Sequence, residues 1–247
     1  MRQKAGPVRT ERPGFREEGG GRALRKELDH FRIGEACGGD QEWFSDPWMF
    51  RGGCGAVTAC DLCICLARNM GMRELYPYDP EQITKEDYLS FAALMRPYLS
   101  PRPTGIHRTE TYTDGLEAYL RDRGCRSLTL GSFSGQEDAE SAVAVVREQI
   151  GRGFPVPYLM LLHRDRELKD YMWHWFLLGG YEESGKRFLV RVITYGEEKW
   201  MDLRHLWRTG YRQRGGIVRI FREGEMTKGS SEAGETELLT GGGNHVV

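Results

Sequence analysis

Residues 41–61 read QEWFSDPWMFRGGCGAVTACD, and the second half of that stretch decides the fold. Gly52 and Gly53 deliver Cys54 to the start of a strongly apolar run that continues to about Asn69 and is closed by Gly71. A long apolar run with glycine just past its end predicts a buried helix capped at its C-terminus. A cysteine at the start of such a helix faces unpaired backbone N–H groups and the positive end of the helix dipole. Both lower the pKa of a thiol, and the thiolate is the nucleophile. Cys54 is therefore expected to be an activated nucleophile. Gly53 and Gly55, with Ala56, keep the surface beside the sulfur open to a substrate carbonyl. The N–H of Cys54 then supplies half of an oxyanion hole.

Working outward, the chain places helices first and strands second. Residues 23–31 suggest a short helix, and 31–39 an extended entry ending at Gly38-Gly39. Tyr88, Phe91, Ala92, Met95 and Leu99 have helical spacing within 81–99, and 113–123 predicts another helix stopped by Gly124. Residues 127–130 suggest a short strand. Ser134-Gly-Gln-Glu137 has the pattern of a capping box opening a helix that runs to about Ile150. After that the character changes. Apolar or alternating runs at 155–162, 173–181, 188–195 and 216–221 predict strands, with a hairpin turn at 182–186 and a short helix near 202–209. The expected class is α+β: an N-terminal helical half, with a central Cys-bearing helix, packed on a C-terminal antiparallel sheet.

The chain has 247 residues, of which 35 are Lys or Arg and 36 Asp or Glu, for a formal net charge of -1. That balance argues against a nucleic-acid partner, which usually draws a basic excess. Residues 1–21 and 224–247 are Gly-rich, charged or polar and poor in large apolar side chains, so both are expected to be disordered around a single domain at 22–223. No apolar run suits a secretory signal or a membrane span. A cytoplasmic setting follows, with the six cysteines reduced.

Several motifs in order carry a family resemblance. The Gln41…Cys54-Gly55 segment is followed by Gly151-Arg-Gly153-Phe-Pro155-Val156, and then by His174-Trp-Phe-Leu-Leu-Gly-Gly180-Tyr181. Together they resemble the papain-like cysteine peptidases, especially the bacterial branch similar to double-glycine-leader peptidases. The resemblance covers roughly 38–221. It implies a papain-like fold, Cys54 as nucleophile, His174 as base and Gln41 as the second oxyanion donor. It also implies a peptide or amide substrate and no cofactor. Two departures stand out. Gln41 lies 13 residues before Cys54, where the family pattern has about six, so either an insertion at 43–49 intervenes or the role is lost. The family's imidazole-orienting Asn or Asp falls on Ile193, which leaves Thr194 as the nearest polar candidate, with Asp202 farther along.

Plainer readings stand beside these. Cys54 and His174 could simply pack in a core, which would make the chain a binding or scaffold domain with a decayed site. Cys60-Asp-Leu-Cys63 invites a metal reading, but structural zinc wants a second pair at similar spacing, so no metal is expected. Trp48 and Trp173 are candidate walls of a substrate cleft, whereas Trp175 reads as core. The run from His163 to Glu167 reads as a solvated loop beside the cleft.

Overall fold

A computed structural model of the chain describes Ala23–Glu225. The tails at 1–21 and 224–247 lie outside these residues, apart from Gly224 and Glu225, which turn after the last strand. The described residues form a mixed α+β structure built on a seven-stranded sheet in which every pairing is antiparallel.

In chain order, β1 (Leu24–Glu27) is followed by a small hairpin of β2 (Arg32–Ile33) and β3 (Ala36–Cys37). Then come α1 (Pro47–Gly52), α2 (Cys54–Met70), α3 (Lys85–Met95) and α4 (Thr109–Asp122). The second half contains β4 (Leu128–Ser134), α5 (Ala139–Gly151), β5 (Val156–Met160), β6 (His174–Ser184), β7 (Arg187–Thr194), β8 (Glu197–Asp202), α6 (Leu203–Trp207) and β9 (Gly215–Arg222). The sheet order is β4-β9-β5-β6-β7-β8, and β1 pairs with the far half of β6.

The helix at the centre forms where the apolar run demands it. Residues Cys54 to Ala67 of α2 are all buried, and a helix apolar on every side must be enclosed. Gly71 ends it in the left-handed conformation at φ 71°, its N–H returning to the Leu66 carbonyl. The sheet separates two cores. On the α2–α4 side, α2 packs with Phe91, Tyr112, Leu159, Trp175, Leu177 and Ile193. On the other face, Val146 and Ile150 of α5 and Leu206 and Trp207 of α6 meet Tyr158, Phe176 and Val192. The alternation of Trp175 and Leu177 with Phe176 and Leu178 is the period-2 signature of a strand covered on both faces. Gln149, fully buried on α5, stands in for a strand partner. Its amide donates to the Ile220 carbonyl at 3.2 Å and accepts from the Ile220 N–H at 2.7 Å, where β5 no longer pairs with β9.

Four local expectations are corrected. Residues 24–27 form a strand, because β6 runs on past Tyr181 to Ser184 and needs a partner along its far half. Gly179 and Gly180 do not close the His174 strand. They sit at a bulge where the β6–β7 register shifts between Leu178 and Tyr181. The helix after β4 is capped by Asp138, whose carboxylate accepts from the Glu140 and Ser141 N–H groups, rather than by a box starting at Ser134. Around the expected loop from His163 to Glu167, His163 is buried, a 3-10 turn begins at Arg166, and the Asp165 carboxylate pairs with His205 at 2.8 Å.

Candidate active site

The backbone around Cys54 is built from glycine because there is no room for more. Helix α1 runs almost directly into α2, and Gly53 joins them with its N–H donating to the Met49 carbonyl. A Cβ on Gly53 would collide with that carbonyl, and one on Gly55 would press on Ile106 at 3.1 Å. Gly53 carries no capping side chain, so the first N–H groups of α2 remain for the sulfur. The N–H groups of Trp175, Gly55 and Cys54 itself reach it. Trp175 directly follows His174, so the thiol lies against the start of the His-bearing strand. The same indole anchors the neighbouring loop by donating from Nε1 to the Ile106 carbonyl at 2.7 Å.

The expected pKa shift of Cys54 is corrected in sign. Burial pushes the thiol up, and the N–H groups of Trp175, Gly55 and Cys54 pull the other way without prevailing. Only 6% of Cys54 is exposed, and desolvating a thiolate outweighs a few dipoles. The group is a neutral thiol near pH 7. It is nevertheless the most exposed of the six cysteines, all of which are buried and free. Cys60, Cys63 and Cys65 are packed within α2. Among the described residues, no group of three or more His, Cys, Asp or Glu side chains could hold a metal ion.

His174 is 4% exposed, and its ring sits between two hydroxyls. Nε2 meets Thr194 Oγ1 at 2.7 Å, so Thr194 does back the imidazole. Ile193, at the position of the missing Asn, points instead into the α2-side core. On the other side, the Tyr195 ring lies over the imidazole, with centroids 4.4 Å apart and planes 3° from parallel. The Tyr195 oxygen is 3.2 Å from Nδ1 and also 3.2 Å from the Asp170 carbonyl, to which it donates. With the rings stacked, that oxygen is out of the imidazole plane, so the in-plane direction of Nδ1 is not the direction of Tyr195.

Tyr195 was not foreseen as a site residue. It and Gly196 form the two-residue turn between β7 and β8, with φ 55° and 70°. Among the described residues, only Trp173 (φ 52°) and Tyr195 combine a side chain with a left-handed backbone. One precedes His174 in the chain and the other covers its ring. Non-glycine residues in this region are strained, and such strain collects at functional sites.

Gln41 lies on a 3-10 turn and donates from Nε2 to the Phe50 carbonyl at 3.3 Å. The long spacing to Cys54 is therefore taken up by a folded element. Helix α1 carries the chain out and back, leaving Gln41 against the turn of α1 that leads to Cys54. Its Oε1 is buried without a hydrogen-bond partner. Trp48, Phe50 and Trp173 are about half exposed, at 52%, 46% and 47%. These are large aromatic surfaces on the segments that flank Cys54 and His174. Trp175 is buried core.

Two polar cavities, of about 270 and 490 Å3, have neither Cys54 nor His174 among their lining residues. The first includes His107, Arg108, Arg212 and Arg214 among its lining residues, and the second Glu140, Lys186, Arg204 and Arg208. No helix among the described residues is long and apolar enough to cross a membrane. No family model, curated protein or solved structure matches the chain.

Proposed function

We propose that this protein is a papain-like thiol hydrolase acting on a peptide, amide or related acyl bond. The Cys54 thiol gives its proton to His174 as the sulfur attacks the carbonyl carbon. The N–H of Cys54 and the amide of Gln41 stabilise the resulting oxyanion. Collapse expels the amine, which leaves with the proton from His174. A water molecule, deprotonated by His174, then hydrolyses the thioester and restores the thiol. Because Cys54 is neutral at rest, proton transfer accompanies attack. Thr194 orients the imidazole, and the aromatic surfaces of Trp48 and Trp173 bind substrate on either side.

One observation carries the reading. The backbone N–H beside His174 reaches the Cys54 sulfur, while the His174 ring is fixed at Nε2 by Thr194 and flanked by two strained aromatic residues. The test is alkylation with iodoacetamide near neutral pH, read cysteine by cysteine by mass spectrometry. Cys54 should label well before the other thiols, and His174→Ala should slow it by about 100-fold, the lower range for loss of a general base. Slow labelling of all the cysteines alike, unchanged by His174→Ala, would sink the idea.

A second reading, a binding domain with a decayed site, draws on two features. Cys54 is almost fully enclosed, and Tyr195 covers the face of His174. It predicts that unchanged, uniform labelling.

A further inference from the structure

The Gly38-Gly39 pair precedes Gln41 and belongs to none of the steps above, yet it touches both halves of the site. The Gly39 N–H donates to the carboxylate of Asp61, at 3.1 Å to Oδ1 and 3.3 Å to Oδ2. Asp61 lies two turns along α2 from Cys54 and is 3% exposed. The Gly39 carbonyl accepts from the Gly196 N–H at 3.1 Å, and the Gly196 carbonyl accepts from the Cys37 N–H at 2.7 Å. Gly196 is the second residue of the turn whose first residue, Tyr195, covers His174, and Thr194 precedes both. Residues 37–39 thus form a strap between the nucleophile's helix and the turn that backs the base, and Gln41 follows two residues later.

Positions 38 and 39 of the strap admit only glycine. A Cβ on Gly39 would overlap the hydroxyl end of Tyr88, and Gly38 is left-handed at φ 73° and abuts Asp61 and His30. One side-chain donor also reaches the carboxylate, and His30 Nε2 lies near it without a hydrogen bond. Tyr88 donates to Oδ1 at 2.7 Å, and His30 Nε2 faces Oδ2 at 3.8 Å, while His30 Nδ1 contacts the Cys65 sulfur at 3.1 Å. A buried carboxylate persists only where such donors satisfy it.

We infer that Asp61 is a positioning residue for the proposed reaction. By holding Gly39 it sets Gln41 and the Thr194–Gly196 turn, and through that turn His174, against Cys54. This rests on the thiol-hydrolase reading.

The test measures iodoacetamide labelling of Cys54 across pH in the full chain, on variants checked for folding by circular dichroism at low temperature. Asp61→Ala, or Asp61→Leu if the smaller residue does not fold, should lose most of the rate difference between wild type and His174→Ala, about tenfold or more. Asp61→Asn keeps a carbonyl oxygen for Gly39 and should retain the wild-type profile. Tyr88→Phe keeps the ring packed against Gly39 and removes one donor to the same carboxylate while leaving the Gly39–Asp61 bond, so it should lower stability but leave the profile alone. In the wild type, the Gly39 and Gly196 amides should exchange with solvent as slowly as the core amides of α2. A folded Asp61→Ala or Asp61→Leu with the wild-type profile overturns the inference. So does a Tyr88→Phe variant that shifts as much, or rapid exchange at Gly39. Identical profiles for wild type and His174→Ala would instead overturn the hydrolase reading itself.

Discussion

Thr194→Val is the most incisive change at the site. Valine keeps the shape of threonine and its strand propensity, and removes only the hydroxyl that meets His174 Nε2 at 2.7 Å. His174 is 4% exposed, so water does not readily replace the lost partner. A buried ring nitrogen left unsatisfied costs about 1–3 kcal/mol. For a folded unit of this size each kcal/mol lowers the melting temperature by about 2–4 °C, giving a fall of roughly 2–12 °C. The functional effect has a separate origin. Without the hydroxyl the imidazole is no longer held at Nε2, and the His174-dependent part of Cys54 alkylation should disappear, making Thr194→Val resemble His174→Ala. Thr194→Ser should restore it. Scanning calorimetry and pH-resolved labelling read the two effects independently. A variant that loses the expected stability yet labels Cys54 with the wild-type pH profile would refute Thr194 as the orienting residue.

Alkaline pH should destabilise the protein. Burial raises Cys54, Cys60, Cys65, Tyr88 and Tyr112, and pushes Cys37 up to about 11. The folded chain therefore holds protons that the unfolded chain releases. Stability is full below the ordinary thiol range near about 8.5 and declines as pH climbs toward the raised values. Urea midpoints that stay level from about pH 7 to roughly pH 10 would contradict this account. Trp173→Gly should relieve a left-handed backbone worth about 1–2 kcal/mol, offset by about 0.5–1 kcal/mol of glycine entropy. It should therefore leave stability level or slightly higher, while reducing the preference of Cys54 for a peptidyl chloromethyl ketone over iodoacetamide. A large loss of stability would mean that the indole packs rather than binds. Gln149→Leu strands the N–H and carbonyl of Ile220 on one side of β9, at about 1–3 kcal/mol for each group. A chemical-denaturation change under about 1 kcal/mol would show that those groups find other partners.

The sequence made some of this legible and hid the rest for identifiable reasons. Helix α2 could be read because its apolar run is long and Gly71 marks its end, both local facts. The main strands β5, β6, β7 and β9 showed as apolar or alternating runs. Strand β8 (EEKWMD) is polar and half exposed at an edge, so no hydrophobic period announced it. Its existence follows from the Tyr195-Gly196 turn, a dipeptide that in retrospect is the available signal. Strand β1 (LRKE) is exposed along its whole length and is held by pairing with β6 and by side-chain contacts to Gly151, Trp200 and Arg191, which a sequence cannot display. At the site, Cys54 and His174 were marked by the glycines and tryptophans around them. The sign of the thiol's pKa was not, because helix dipoles are local and burial depends on distant residues such as Ile106 and Trp175. Asp61 is a lone acidic side chain within an apolar helix, and the Gly39, Tyr88 and His30 groups around it come from other parts of the chain.

The sheet order also sets the timing of folding. Strand β4 pairs along its length with β9, so Leu128 waits for Arg222, and β1 waits for the far half of β6. On a ribosome the apolar helix carrying Cys54 emerges long before Leu159, Trp175, Ile193 and Val218, the sheet residues that enclose it. Contacts this distant in sequence make for slow folding and leave sticky surface exposed meanwhile. The nascent N-terminal half is thus a natural client for chaperones. A chain truncated before β9 leaves β4 without its partner, and expression of such truncations should end in aggregates rather than in a smaller folded unit.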